Sequence, residues 1–282
     1  KIHIGSRRKV ILGSKLNYLP PTDLVSSFDV DTISGVVSWT DTNAAKSQYA
    51  VYSNTNNQGD VLLGITEKGG TSYIDNTCKQ NASVVYKVKA IGSEYAVSDA
   101  IITPLCIKMN QSTLTTALIF QLYAVAGKSI LIDWGDGTSQ IVNGGTLITN
   151  LSKDYAVTGQ YNVAITGDTD YILIFQIRQS IWYGNISNWI PPSALNSISL
   201  WSSPNVLLDI SRWDFKPSQN NVGFDSLGVF GNITGKIIPT TISLFKISGS
   251  NVEGSLPNIE AGGIASLIYL ADTSKINSFD TN

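Results

Sequence analysis

The chain has 282 residues and a formal net charge of −2; 43% of its residues are hydrophobic and only 14% are charged. This length accommodates two or three domains, and no apolar run approaches the ~18 residues of a transmembrane helix, so the sequence predicts no membrane span. Two cysteines, Cys78 and Cys106, and one histidine, His3, are too few for a disulfide framework or a zinc site, so we expect no metal and no cofactor. We expect free thiols, with a Cys78–Cys106 disulfide as the alternative.

The first 19 residues are predicted to form a basic anchoring arm. Arg7, Arg8, Lys9 and Lys15 all precede the first acidic residue, Asp23, and the rest of the chain is acidic. Such an arm favours attachment to an acidic partner, although the charges would equally keep an edge strand soluble. The repeated pattern Ile-x-Ile-Gly-Ser and Val-Ile-Leu-Gly-Ser resembles the N-terminal segment of bacteriophage tail and appendage proteins.

Residues 20–104 contain short apolar runs separated by polar turns. The run Val84–Ala90 alternates apolar and polar residues with a period of two, as a half-buried strand does. With its opening Pro-Pro, its Tyr-x-Val-Tyr strand and its Tyr-x-Val-x-Ala strand, the segment resembles a fibronectin type III domain. The resemblance implies an Ig-like β-sandwich in which Trp39 and Val88 lie in the core and Tyr86 is the tyrosine-corner residue.

Residues 105–170 hold two further motifs in sequence. A strand runs into Asp-Trp-Gly-Asp-Gly-Thr, which ends at Thr138, and Tyr-x-x-x-Gly-x-Tyr-x-Val begins at Tyr155. The first motif predicts a hairpin turn, because Asp-Gly suits the tight turns between antiparallel strands. The pair resembles the polycystic-kidney-disease (PKD) β-sandwich domain, which is also Ig-like, except that Asp154 stands where that family often has histidine.

The two carboxylates of the turn, Asp133 and Asp136, admit two interpretations. They could bind Ca²⁺ or perform acid–base chemistry. We favour a structural role, in which Asp136 accepts the hydrogen bonds of the turn, the flanking glycines adopt positive φ and Trp134 fills the core.

Residues 171–282 repeat an apolar template with inward positions 1, 4 and 6 and a small polar residue at position 9. The template fits segments that begin at Ile172, Leu195, Phe224, Ile242 and Ala265. It suits a solenoid, and the units resemble leucine-rich repeats with a polar cap at Ser180, Ser203, Asn232, Ser250 and Thr273. The spacing is irregular, at 29 residues between the second and third units and 18 between the third and fourth. A third β-sandwich with similar strands is the alternative.

The expected fold is therefore mainly β: two tandem Ig-like β-sandwiches followed by a leucine-rich-repeat-like solenoid. The expected segments are the arm (1–19), the fibronectin-like sandwich (20–104), the PKD-like sandwich (105–170) and the solenoid (171–282).

Large aromatic residues are concentrated early in the solenoid. We assign Trp182 and Tyr183 to packing, because they lie where the solenoid begins. We predict that Trp189, Trp201 and Trp213 are exposed and form a binding surface with Arg212, since Trp201 directly follows an inward leucine. Burial in the core is the alternative.

The sequence predicts no enzyme, because the only histidine lies in the arm and no Gly-x-Ser-x-Gly elbow is present. The arm and the modules favour a structural or adhesion component of a bacteriophage virion. The arm would contact other virion proteins and the C-terminal region a host-surface glycan or protein, with no nucleic acid involved and homo-oligomerisation left open. The alternatives are a bacterial cell-surface adhesin or carbohydrate-binding accessory, and accessory modules of an enzyme.

Overall fold

A computed structural model describes most of the chain. The described ranges are 18–44, 47–111, 120–145, 149–177, 181–215, 218–225, 228–239, 241–248, 251–254, 258–259 and 267–271. The fold is mainly β, and the helices within these ranges are two three-residue 3-10 helices, Thr169–Tyr171 and Ile210–Arg212.

The described residues divide into two compact units. The first comprises the residues up to Ser27 together with Val36–Asp75 and Val85–Ala100. The second comprises Phe28–Gly35, Asn76–Val84 and the residues from Ile101 onward.

The segment before residue 105 contributes the first eight strands of the described chain. They are β1 (Thr22–Asp29), β2 (Ser34–Thr40), β3 (Tyr49–Thr55), β4 (Asp60–Ile65), β5 (Ser72–Asp75), β6 (Ala82–Ala90), β7 (Ala96–Val97) and β8 (Ile101–Thr103). One sheet has the order β1-β2-β5; the other has the order β4-β3-β6-β7, with β8 also paired to β6.

The core of the first unit contains the residues that the sequence assigned to it. Trp39, Tyr86 and Val88 are buried, and β6 alternates buried with half-buried residues, as its sequence predicts. The ring of Trp39 lies 5.5 Å from that of Tyr49. The hydroxyl of Tyr86 donates to the carboxylate of the buried Asp75 at 3.1 Å.

The rest of the chain is organised in two long sheets. Its strands are β9 (Leu105–Gln111), β10 (Phe120–Ala124), β11 (Ser129–Asp133), β12 (Ser139–Asn143), β13 (Thr149–Leu151), β14 (Gly159–Gly167), β15 (Ile172–Ile177), β16 (Trp182–Asn185), β17 (Ser197–Trp201), β18 (Asn205–Asp209), β19 (Asn221–Asp225), β20 (Val229–Asn232), β21 (Ile237–Ile238), β22 (Leu244–Ser248), β23 (Asn251–Glu253), β24 (Asn258–Ile259) and β25 (Leu267–Ala271). Sheet A has the order β13-β10-β15-β17-β19-β22-β25, and sheet B has the order β12-β11-β14-β9-β16-β18-β20-β23. The strands β21 and β24 pair with each other.

The solenoid begins on strands supplied by the preceding segment. In sheet A, β10 pairs antiparallel with β15, and in sheet B, β9 pairs antiparallel with β16. Beyond these pairs, the described strands of both sheets follow one another in parallel, in a β-solenoid of about three turns. The first parallel strands would otherwise present open edges, so the segment 105–170 acts as the N-terminal cap of the solenoid.

One hydrophobic core fills the space between the two sheets. It runs from Leu105 to Val252 without a break. Phe120 of β10 joins the segment 105–170 to the solenoid. The centre of its ring lies 5.5 Å from that of Phe175 in sheet A and 5.7 Å from that of Trp182 in sheet B. The boundary expected after residue 170 therefore falls inside a single core, and the packing role expected for Trp182 is confirmed.

The parallel pairing gives the solenoid a regular repeat. Phe175 pairs with Ile198, Ile198 with Val222, Val222 with Phe245 and Phe245 with Ile268, so successive repeats are 23, 24, 23 and 23 residues long. The inward positions 4 and 6 of the template are buried in all repeats whose side chains the structure describes.

The irregular spacing expected for the third repeat is wrong. Val222 and Phe224 occupy positions 4 and 6 of this repeat, so that its position 1 is Gln219 rather than Phe224. Gln219 is 1% exposed. Because this inward position holds a polar residue, the apolar template does not recognise it, and the predicted start of the third repeat is displaced by five residues. Asn232 then belongs to the opposite strand β20, and it is not the cap after β19.

Of the other expected caps, Ser203 is buried, and its hydroxyl donates to the carbonyl of Trp201 at 3.0 Å. Ser180, Ser250 and Thr273 lie outside the described residues.

A ladder of polar caps does exist, but it follows the strands of sheet B. Asn185, Asp209 and Asn232 each accept, through a side-chain oxygen, the backbone N–H two residues on, at 2.9, 3.0 and 2.8 Å. The residue after each cap is an isoleucine with no exposed surface. These Asx turns let the chain leave sheet B while the isoleucine enters the core.

The turn between β11 and β12 has the structural role that its sequence favours. Asp136 accepts hydrogen bonds from the N–H of Thr138 at 3.0 Å and from its hydroxyl at 2.5 Å. Gly135 and Gly137 have φ of +75° and +82°, and Trp134 is buried. Burial alone would raise the pKa of Asp136, but hydrogen bonds from Lys153 and Thr138 outweigh it and lower this pKa.

Within the second unit, a buried glutamine ties the segment Asn76–Val84 to the core. Gln80 has no exposed surface, and its Oε1 accepts from the backbone N–H of Cys106 at 2.7 Å and from Nε1 of Trp189 at 3.1 Å. Neither cysteine forms a disulfide, as predicted, and both are buried.

We expect the thiol of Cys106 to lower the unfolding free energy of the protein at alkaline pH. Burial raises the pKa of Cys106 from 9 to about 12. A folded-state pKa above the unfolded one stabilises the protein below pH 9, and this contribution declines as the pH rises from 9 to 12. On going from pH 8 to pH 10, the wild type should lose about 1 kcal/mol more unfolding free energy than Cys106→Ala, measured by urea denaturation. Equal losses in both proteins would contradict the shift.

Candidate binding surfaces

The aromatic residues that the sequence grouped into one binding surface do not lie together. Trp201 is 44% exposed, as predicted, but Trp189 and Trp213 are 4% and 1% exposed, so the exposure predicted for these two is wrong. Each of these two tryptophans follows the isoleucine after a polar cap by three residues. The backbone N–H of the tryptophan donates to the backbone carbonyl of that isoleucine. The resulting turn directs both indoles into the core, and no alternating strand pattern reveals it.

Arg212 is exposed but does not join Trp201. It lies in the 3-10 helix after β18 of sheet B, whereas Trp201 ends β17 of sheet A. Its charge acts on Lys79: burial lowers the pKa of Lys79, and the positive charge of Arg212 lowers it further. The arm residues Arg7, Arg8, Lys9 and Lys15 lie outside the described residues.

The outer face of sheet A carries a first candidate surface, the Trp201 patch, formed by Trp201, Gly223, Asp225 and Lys246. A β-carbon at Gly223 would lie 3.4 Å from Nε1 of Trp201, so the indole rests against a backbone that carries no side chain. Lys246 lies 5.7 Å from the centre of the indole ring system and pairs with the carboxylate of Asp225 at 3.1 Å. An exposed aromatic ring beside a fixed ion pair is suited to anchoring a partner.

The outer face of sheet B carries a second surface, which the sequence did not indicate. We call it the Tyr183 groove, a depression of about 700 Å³ lined in part by Asn110, Gln160, Tyr183, Pro204, Asn205 and Leu207. Neighbouring residues of a strand point to opposite faces, so buried Trp182 places Tyr183 outward. The packing role expected for both residues therefore applies to Trp182, while Tyr183 is half-buried in the wall of the groove.

A smaller depression of about 340 Å³ lies on the other side of Tyr183. Its lining includes the amides of Asn76, Asn185 and Asn188, and also Lys108. The ammonium group of Lys108 donates to the backbone carbonyl of Asp31 at 2.8 Å.

Within the described ranges, no three His, Cys, Asp or Glu side chains come close enough together to hold a metal ion. Nor does any helix of these ranges have the length and apolar character that crossing a membrane requires.

No family model matches this chain, and no curated protein is significantly similar to it.

Proposed function

We propose that this protein is a non-enzymatic structural and adhesion component of a bacteriophage virion, decorating the capsid or the tail. In this proposal the basic arm attaches the chain to other virion proteins. The outer faces of the solenoid then contact a glycan or a protein on the host surface.

The observation that carries the proposal is the continuity of sheets A and B. Within each sheet, every strand is hydrogen-bonded to the neighbouring strand of the following repeat. The core continues unbroken from Leu105 to Val252. Such a stack holds the Trp201 patch and the Tyr183 groove in fixed positions on opposite sheets. A broad, rigid surface made of repeats is what solenoid proteins use to bind other macromolecules.

The finer fold assignments belong to the same proposal. We assign the segments 20–104 and 105–170 to Ig-like sandwiches of fibronectin type III and PKD type, and the solenoid to a leucine-rich-repeat-like class. Burial of Trp39 and Tyr86 supports the first assignment. The hydrogen bond from the hydroxyl of buried Tyr155 to the carbonyl of Trp134, at 2.8 Å, supports the second by linking its two motifs.

The test is the location of the chain in an infected culture. We expect mass spectrometry to detect it in gradient-purified particles. A variant that lacks residues 1–19 should keep the wild-type melting temperature but be largely lost from particles, as should the full-length variant R7A/R8A/K9A/K15A. The second variant keeps the arm and removes four of its basic side chains, so it tests whether attachment depends on the charge of the arm.

Recovery of the chain in the bacterial envelope, with none in particles, would overturn the virion proposal and favour a cell-surface adhesin or carbohydrate-binding accessory. Unchanged incorporation of both variants would overturn the anchoring role of the arm.

A further inference from the structure

The Tyr183 groove combines a partly exposed aromatic ring with several amides. We propose that the groove binds a short, electrically neutral oligosaccharide. This inference rests on the proposed adhesive function and names the class of ligand that one of the two surfaces takes.

The register of sheet B places the polar groups on both sides of the tyrosine. Gln160 pairs with Asn110 across β14 and β9, and Tyr183 pairs with Asn205 across β16 and β18. These strands are consecutive neighbours in the sheet. At about 4.8 Å between strands, the four strands span about 14 Å, which exceeds one sugar ring and suits a short chain of them.

The side chains of the groove offer what a sugar ring requires. A carboxamide carries a donor group and an acceptor group side by side, so that Asn110 and Gln160 can each serve two neighbouring hydroxyls. The ring of Tyr183 and the exposed side chain of Leu207 offer apolar surface to the C–H face of a sugar. Burial raises the pKa of Tyr183, so its phenol keeps its proton and can both donate and accept.

The charge of the lining selects a neutral ligand. Among the described residues, those that line the groove include no Asp, Glu, Lys or Arg. Lys108 is the register partner of Tyr183 across β9 and β16, but its ammonium group is directed to the carbonyl of Asp31. An anionic polysaccharide or a nucleic acid would therefore find no counter-charge among the described residues of the lining, whereas amides and a phenol satisfy hydroxyl groups.

The test is titration calorimetry of the full chain with four hexasaccharide probes: maltohexaose, cellohexaose, mannohexaose and, as the anionic counterpart, hexagalacturonate. We expect at least one neutral probe to bind and hexagalacturonate not to bind. Tyr183→Ala should weaken binding about tenfold or more, as for the anchor of an interface, and Asn205→Ala should weaken it to a lesser degree. Tyr183→Phe should retain part of the affinity, because it keeps the ring and loses only the hydroxyl.

The matched control is Tyr171→Ala, which removes another tyrosine, 42% exposed and outside the groove, and should leave the affinity unchanged. Melting curves check that each variant is folded. Failure of all neutral probes to bind, tighter binding of hexagalacturonate, or equal losses in Tyr183→Ala and Tyr171→Ala would each overturn the inference. Sugar binding by a chain that is absent from particles would refute only the virion proposal, and a chain in particles that binds no neutral probe would refute only this inference.

Discussion

Replacing Trp213 by alanine is expected to lower the free energy of unfolding by about 3–5 kcal/mol, the usual cost of removing a large buried aromatic side chain. Trp213 is 1% exposed, and its ring meets that of Phe224 edge-on at 6.0 Å between centroids. It therefore fills the core between a turn of sheet B and a strand of sheet A. Urea denaturation followed by circular dichroism measures the loss.

Trp201→Ala is the matched control, because it removes the same side chain from the outer face of the solenoid. Trp201 is 44% exposed, so we expect a loss below about 1 kcal/mol, as for most surface substitutions. Trp213→Phe should fall between the two, since it keeps an aromatic ring beside Phe224. Similar small losses for Trp213→Ala and Trp201→Ala would mean that Trp213 does not lie in the core.

Local patterns in the sequence predicted the local structure well. The alternation of Val84–Ala90 gave the burial pattern of β6, and the Asp-Gly signal gave the turn around Asp136. The spacing of inward residues located β15, β17 and β22. In each case the determining information lies within about ten residues, where periodicity and turn chemistry act directly.

Features that depend on pairing between distant residues were missed. Nothing near Phe120 shows that β10 pairs with β15, more than 50 residues later, and so joins two expected domains in one core. The Tyr183 groove is likewise assembled from β14, β9, β16 and β18. Buried Gln219 hid the true register of the third repeat, because a polar residue at an inward position violates the pattern that defines the template.

A second large effect is expected from Gly231→Ala, which should destabilise the protein by about 3 kcal/mol through backbone strain and a steric clash. Gly231 has φ of +108°, a conformation that side chains with a β-carbon rarely adopt. A β-carbon there would lie 2.3 Å from Oδ1 of Asp209, the cap oxygen that accepts the N–H of Ser211. Alanine would therefore displace the cap of the preceding repeat as well as strain its own backbone.

The next repeat has the same arrangement, which indicates that the glycine and the cap form one unit of the solenoid. Gly254 has φ of +109°, and a β-carbon on it would lie 2.5 Å from Oδ1 of the cap residue Asn232. Each glycine thus leaves room for the polar side chain that ends the previous strand of sheet B. The regular stacking of repeats depends on this contact between neighbours, in addition to the apolar core.

Gly235→Ala separates strain from clash, because Gly235 also has positive φ, at +75°, but nothing lies within 4 Å of its added β-carbon. We expect it to cost about 1 kcal/mol, the penalty of a left-handed conformation alone. Combining Asp209→Ala with Gly231→Ala removes the obstructing oxygen, so Gly231→Ala should cost less in that background than in the wild type. If its cost were the same in both backgrounds, or no greater than that of Gly235→Ala, the cap and the glycine would not be coupled.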